Sequence, residues 1–320
     1  MIKSFIRSFS LLFTLGVVVS AQPTHPTASP TPRQISKEQP AVTTETVEEV
    51  GEGDVVRVNA NLVSVPVIVM NRDGHYVVDL SRNDFRIFED GEEQTITHFS
   101  NVDNPFTVAL LIDTSGSTAP FLDQIKAVAK TFVGQLLPMD KVLAVYFHGE
   151  IKSLSGSHAN DSKAVSLAIA QMQSGPINMG TRLYDAVEFG MNALKHESGR
   201  KAIILLTDGD NTWGKATMKG TLRDAEENDA IIYAVQYGDR PPEKYLKQLA
   251  NKTGGRYFKA GDINLIKQSF AGVAEELRRQ YRIGYYAKDL SRPREKRRIV
   301  VKVNRKNVAV RARESYADSR

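Results

Sequence analysis

Cysteine is absent from the 320 residues, so neither disulfides nor thiolate metal sites are available to this chain. The absence does not argue for the cytoplasm, because many bacterial envelope proteins lack cysteine. It does exclude a lipoprotein-type anchor after the N-terminal leader. A Gly-rich phosphate loop and an HExxH helix are missing as well, which removes two common routes to catalysis. Beyond the first residues, no segment is apolar enough to span a bilayer. Excess charge is also scarce. A net charge of +5 is modest for this length, disfavours an acidic protein, and gives no ground to expect a nucleic-acid partner. What is present is a chain with 41% hydrophobic residues, enough to bury a real core, and a length that suits about two domains once leader and linker are set aside.

The most informative stretch is residues 107–120, TVALLIDTSGSTAP. A short apolar run over 108–112 ends in Asp113, and Thr114, Ser115, Gly116 and Ser117 lead into a helix-like segment. Apolar strand, polar loop and helix form the opening of an open α/β sheet, where ligands lie outside the carboxyl ends of the strands. The loop offers only oxygen, as the Asp113 carboxylate and the Ser115 and Ser117 hydroxyls. Such a set suits hard divalent cations, Mg²⁺ above all. Gly180-Thr181-Arg182 opens a second helix with a hydroxyl, and the apolar run 203–206 leads through Thr207 to the carboxylate of Asp208.

DTSGS, then a threonine, then a strand-end TDG resembles the metal-ion-dependent adhesion site of von Willebrand factor type A domains and integrin I domains. The family pattern Asp-x-Ser-x-Ser, Thr, Asp is met at Asp113, Ser115, Ser117, Thr181 and Asp208 without departure. The resemblance implies that Ser115 and Ser117 bind Mg²⁺ or Mn²⁺ directly. It implies that Thr181 binds directly or through water, and that Asp113 and Asp208 act largely through water. A partner protein's Asp or Glu side chain would complete the shell. The plainer alternative is that these residues only cap helices.

Read in order, residues 1–21 have a basic start (Lys3, Arg7), an apolar run over 11–19 and a small-residue cleavage pattern, Val19-Ser20-Ala21. This predicts a secretory signal peptide and a secreted, periplasmic or cell-envelope protein, with an uncleaved anchor as the alternative. Residues 22–53 are rich in Pro, Thr, Ser and Glu and read as a disordered linker. Residues 54–104 read as antiparallel β. Val56, Val58, Ala60 and Leu62 share one frame and Val63, Val65, Val67 and Val69 the other, which suggests a bulge or a break. A short strand is expected over 76–78. A strand over 85–88 meets the hairpin signal Asp90-Gly91 and returns over 95–99.

Residues 105–279 alternate apolar runs with amphipathic stretches, the pattern of βαβ units. Helices are expected around Ile125 to Leu136, over 245–250 and over 263–279, with strands over 142–147, 231–235 and 256–258. Residues 280–316 return to β alternation. Neither β piece has enough strands to stand alone. The expected fold is therefore an α/β, doubly wound, mostly parallel sheet with the adhesion-type metal site, inserted in an antiparallel β-sandwich-like module. The Glu89-Asp90-Gly91 hairpin and the YRIGYY entry at 281–286 resemble the secreted bacterial VWFA-related Acidobacterial domain family, from about residue 55 to the end.

These features predict a non-catalytic, Mg²⁺-dependent protein-binding or adhesion module. Two alternatives stand beside it. One is an envelope scaffold or assembly factor whose metal only stiffens loops. The other is a Mg²⁺-dependent hydrolase, for which His148 is the nearest candidate base. Trp213 and Asp210, in the loop after Asp208, are candidate ligand-binding residues, with Trp213 either exposed at the rim or packed under the following helix. The basic run Arg292, Arg294, Lys296, Arg297 and Arg298 offers weak contact with anionic surface polymers or lipid head groups, or is simply a solvated hairpin.

Overall fold

The computed structural model describes residues 62–101, 104–154, 160–176, 178–241, 243–287 and 295–317. The expected signal peptide, the linker and the first frame of the 54–62 alternation, up to Ala60, lie outside the described residues, as do Arg292 and Arg294 of the basic run.

The chain enters through β1 (Leu62–Asn71), β2 (Phe85–Glu89), β3 (Glu92–Gln94) and β4 (His98–Ser100). Asp90 and Gly91 both take positive φ, 48° and 94°, the requirement of the tight turn that joins β2 to β3. The expected strand at 76–78 is reduced to a single bridge between Met70 and Tyr76. The expected return strand at 95–99 is displaced to 92–94, and residues 95–97 form no strand. β3 closes the hairpin on β2, and the chain then crosses to a different sheet as β4.

The α/β unit follows in the order β5 (Phe106–Asp113), α1 (Leu122–Gly134), β6 (Lys141–Phe147), β7 (Ile151–Ser153), α2 (Ser162–Ala170), α3 (Leu183–Leu194), β8 (Arg200–Thr207), α4 (Met218–Glu227), β9 (Ile231–Tyr237), α5 (Lys244–Thr253), β10 (Tyr257–Ala260) and α6 (Ile263–Arg279). Its six-stranded sheet runs β10-β9-β8-β5-β6-β7, parallel except for the short antiparallel edge strand β7. This is the doubly wound fold expected from the alternating pattern. All eight residues of β5 are buried, as a central strand with both faces covered demands. Val108, Leu110 and Ile112 pack with α1, α2 and α6, whereas Ala109 and Leu111 pack with α3, α4 and α5.

The chain closes with β11 (Tyr281–Tyr286), β12 (Lys296–Val303), β13 (Val308–Ala312) and β14 (Ser315–Ala317). β1 lies between β13 and β11, and β4 flanks β11. The second sheet runs β14-β12-β2-β3. Both sheets are antiparallel, and each combines strands from before and after the α/β unit. They face one another across a shared core that includes Val63, Val65, Val67, Ile87, Ile283 and Ile299. Within it Glu89 is buried. One of its oxygens pairs with the Arg297 guanidinium at 2.7 Å, and the other accepts the Tyr285 and Tyr316 hydroxyls at 2.6 and 2.9 Å. A buried charge needs this degree of pairing to be tolerated. It also takes Arg297 out of the basic run as a surface contact.

The β sandwich grips the α/β unit at the amino-terminal edge of the central sheet. Arg200 at the start of β8 donates to the Leu277 and Gln280 carbonyls at 2.8 and 3.4 Å. Glu276 of α6 is fully buried and pairs with Arg256 at 3.1 Å and with Arg311 of β13. The loops that follow β5, β8 and β9 emerge at the opposite, carboxyl edge.

Candidate metal centre

β5 ends at Asp113, and a 3₁₀ segment, Gly116–Phe121, turns the chain into α1. Asp113 has 0% exposure. One of its oxygens accepts the Ser115 N–H at 2.9 Å and the other the Thr207 hydroxyl at 2.7 Å. The carboxylate is therefore locked by its own loop and by the neighbouring strand β8. The Ser115 and Ser117 hydroxyls lie 3.1 Å apart, and Ser117 donates to an Asp208 carboxylate oxygen at 2.7 Å. Asp208 follows β8 directly, and its other oxygen accepts the Asp210 N–H at 3.1 Å. Ser115 stands at the N-cap of the 3₁₀ segment, yet its side chain makes no capping bond. Its hydroxyl turns to Ser117 instead, against the helix-cap alternative.

Asp113, Ser115, Ser117 and Asp208 are thus joined by one continuous run of hydrogen bonds. Thr181 is not part of that run. It is held against the same loop through its main chain: its N–H donates to the Thr212 hydroxyl at 2.8 Å, and its carbonyl accepts the Thr212 and Trp213 N–H groups at 3.1 and 3.0 Å. The loop is also fastened to the first turn of α3. Asn211 accepts the Tyr184 N–H at 3.1 Å, and both Asp185 oxygens accept the Lys215 N–H, at 3.0 and 3.1 Å. Gly214 is required there. Its φ is +124°, and a Cβ would stand 1.9 Å from Asp185.

Burial and then the neighbouring Asp208 charge push the Asp113 carboxyl up to about 7. Two carboxylates in so small a space call for more positive charge than the Arg240 guanidinium, 3.6 Å from Asp208, provides. A divalent ion would supply it, and a donor set made of hydroxyl and carboxylate oxygen suits Mg²⁺ or Mn²⁺. No cluster of three or more His, Asp or Glu able to hold a metal exists among the described residues. A metal here therefore depends on the serine and threonine hydroxyls.

The remaining candidates separate. Trp213 is 60% exposed, which decides between its two expected placements in favour of the rim. Asp210 pairs with Arg240 at 2.6 Å, and Arg240 also approaches Asp208 at 3.6 Å. Sequence reading passed over Arg240. The available signal was its position just past the end of β9, another strand ending at the carboxyl edge. It also passed over Thr207 and Gln236, which orient Asp113 and the Asp208 main chain. His148 is buried, and its imidazole is held below its ordinary value by that burial. Its ring packs against Gly175, where an added Cβ would stand 2.6 Å away, and its Nδ1 accepts the Glu150 N–H at 3.3 Å.

The family model for the von Willebrand factor type A domain matches residues 107–272. The chain belongs to the von Willebrand factor type A family. Domains of this family commonly bind a divalent metal at a site of this kind and mediate contacts between proteins. The match is to the domain in general and does not distinguish the secreted bacterial subfamily. Among solved structures, the chain is similar to proximal thread matrix protein 1 of the mussel byssus, at 18% identity and a TM-score of 0.51, over 60% of this chain and 50% of that one. In that structure the adhesion-site motif is occupied by zinc. It is also similar to a von Willebrand factor type A protein of Catenulispora acidiphila, at 12% identity and a TM-score of 0.49, over 82% and 75% of the two chains. A third is the type A domain of the type V pili tip protein Mfa5 of Porphyromonas gingivalis, at 12% identity and a TM-score of 0.45, over 54% and 95%. At these identities the likeness concerns the fold. No match is found among the curated proteins. No helix among the described residues is long and apolar enough to cross a membrane.

Proposed function

We propose that this type A domain is a non-catalytic, divalent-metal-dependent protein-binding module acting outside the cytoplasmic membrane. Its partner offers an Asp or Glu side chain to the metal. The observation that carries the reading is the hydrogen-bonded run of Asp113, Ser115, Ser117 and Asp208 at the carboxyl edge of the sheet, beside the exposed Trp213. Ser115 and Ser117 would hold Mg²⁺ or Mn²⁺ directly, Thr181 directly or through water, and Asp113 and Asp208 through water. Neutral hydroxyls leave the ion electrophilic, so an anionic group from a partner completes its shell favourably. Trp213 and Asp210 would form the rim of the contact. The basic start, apolar run and Val19-Ser20-Ala21 of residues 1–21 would, as a signal peptide, carry the protein outside the cytoplasmic membrane.

The scaffold reading has its own support in the grip of the β sandwich on α6 through Glu276 and Arg311. One experiment separates the two. Isothermal titration of Mn²⁺ into wild type and Asp113→Ala tests the site, and capture of envelope proteins with Mn²⁺ or with EDTA tests the role. Loss of metal binding in the variant together with EDTA-sensitive capture supports adhesion. Capture indifferent to EDTA makes the metal structural.

A further inference from the structure

The loop after β9 places a cation, Arg240, beside Asp208 and Asp210. Arg240 Nη2 lies 2.6 Å from Asp210 Oδ2, and its Nε lies 3.6 Å from Asp208 Oδ2. That Asp208 oxygen is the one that accepts the Ser117 hydroxyl at 2.7 Å. A single carboxylate oxygen thus faces both a hydroxyl proposed to hold the metal and a guanidinium.

The loop that delivers Arg240 is itself clamped to the end of β8. The Gln236 amide donates to the Asp208 and Pro241 carbonyls, both at 3.0 Å. The Gln236 carbonyl oxygen accepts the Glu243 N–H at 2.8 Å and the Tyr257 hydroxyl at 2.6 Å. Lys259 donates to the Gly238 carbonyl from the far side. The backbone of the loop is therefore tied on both flanks, whereas the Arg240 side chain is 48% exposed and free to swing into water.

We propose that Arg240 is a built-in counter-cation that competes with the divalent ion for the Asp208 and Asp210 carboxylates and thereby sets the metal affinity of this site. The proposal rests on the metal reading above and adds a residue to it. In the metal-free protein the guanidinium neutralises the acidic pair. On metal capture the two cations cannot share Asp208 at full strength, and the half-exposed arginine yields. Repulsion between a single positive charge and a nearby dication opposes binding by an amount on the order of tenfold in Kd, even at the dielectric of water. A guanidinium suits the task because its planar fork spans two carboxylates, which a lysine ammonium cannot do in the same geometry.

The test titrates Mn²⁺ alone into the full chain for wild type, Arg240→Gln, Arg240→Lys and Asp113→Ala, and follows thermal unfolding of each in EDTA and in saturating Mn²⁺. Arg240→Gln is expected to bind Mn²⁺ five- to tenfold more tightly than wild type. In EDTA it melts below wild type, and Mn²⁺ closes the gap. Arg240→Lys keeps the charge and stays within about threefold of wild-type affinity. If Arg240→Gln binds Mn²⁺ as wild type does while Asp113→Ala loses it, the counter-cation role is refuted and the metal site stands. If Asp113→Ala also binds as wild type does, the metal lies elsewhere and both readings fall. Equal tightening by Arg240→Gln and Arg240→Lys would place the effect in loop geometry and overturn the electrostatic account.

Discussion

In the metal-free protein, stability should fall as pH rises from about 4 to about 7, and Asp113 should be the cause. Its carboxyl is pushed up to about 7 from an ordinary 3.8, first by burial and then by Asp208. An acid that is harder to ionise when folded keeps its proton in the folded state, so folding is favoured at low pH. That contribution is fully present below pH 3.8 and is lost as pH rises to about 7. The displacement is about three pH units, and at 1.36 kcal/mol per unit it amounts to about 4 kcal/mol at most. For a chain of this size, about 2–4 °C per kcal/mol converts it to a shift on the order of 10 °C. Thermal unfolding of wild type and Asp113→Asn in EDTA between pH 4 and 8 reads it directly. Asparagine keeps the shape but not the charge. Its oxygen can accept only one of the two bonds that Asp113 accepts, from Ser115 N–H and the Thr207 hydroxyl, a constant cost that drops out of the pH dependence, as do the titrating groups not coupled to Asp113. The wild-type melting temperature should drop relative to the variant as pH rises. Saturating Mn²⁺ should reverse the trend, because the ion favours the ionised carboxylate. An identical pH profile for the two proteins in EDTA would refute the reasoning.

Three further outcomes are expected. Truncation after Arg279 removes β11, β12 and β13, the partners of β1 and β2, so limited proteolysis should digest residues 62–100 while the type A domain of about 105–279 persists. Glu89→Gln removes the charge that pairs with the buried Arg297 and should destabilise the sandwich, read as a lower urea midpoint; an unchanged midpoint would mean the pair is dispensable. Thr181→Ala should weaken partner binding more than Mn²⁺ binding, because the shared run of hydrogen bonds does not include it; equal losses in the two titrations would give Thr181 a purely metal-holding role.

The central sheet was legible because strands buried on both faces read as unbroken apolar runs, as β5 and β8 do, and because α6 carries a full inner face of Ile266, Phe270, Val273 and Leu277. Elements with little buried surface left little trace. β7 has three residues and none fully buried, and α2 buries only Val165 and Ile169. Alternation also cannot say which sheet a strand joins, so the crossing from β3 to β4 was invisible. At the metal centre, the motif residues were readable because their chemistry and spacing are local. Arg240 was not, because it reaches Asp208 only through the folding of two separate strand ends. The pairing of Glu89 with Arg297 was hidden for the same reason, across more than two hundred residues.

The route of the chain between its two modules determines how the molecule carries tension. The proposed partner would pull at the carboxyl edge of the central sheet, while the α/β unit is joined to the sandwich at the opposite edge, through Phe106 and Arg279. From α6 the path runs straight into β11, which is zipped to β1 with Tyr281 opposite Val67 and Tyr286 opposite Leu62. A pull along α6 therefore acts on one end of the paired stretch, and a pull on the chain preceding Leu62 acts on the other. Antiparallel hydrogen bonds lie across the strands, so opposed forces applied in this way shear the whole ladder at once instead of peeling it bond by bond. If the proposed partner pulls at the carboxyl edge, the strand order would make the sandwich a mechanical clamp in series with the proposed metal site.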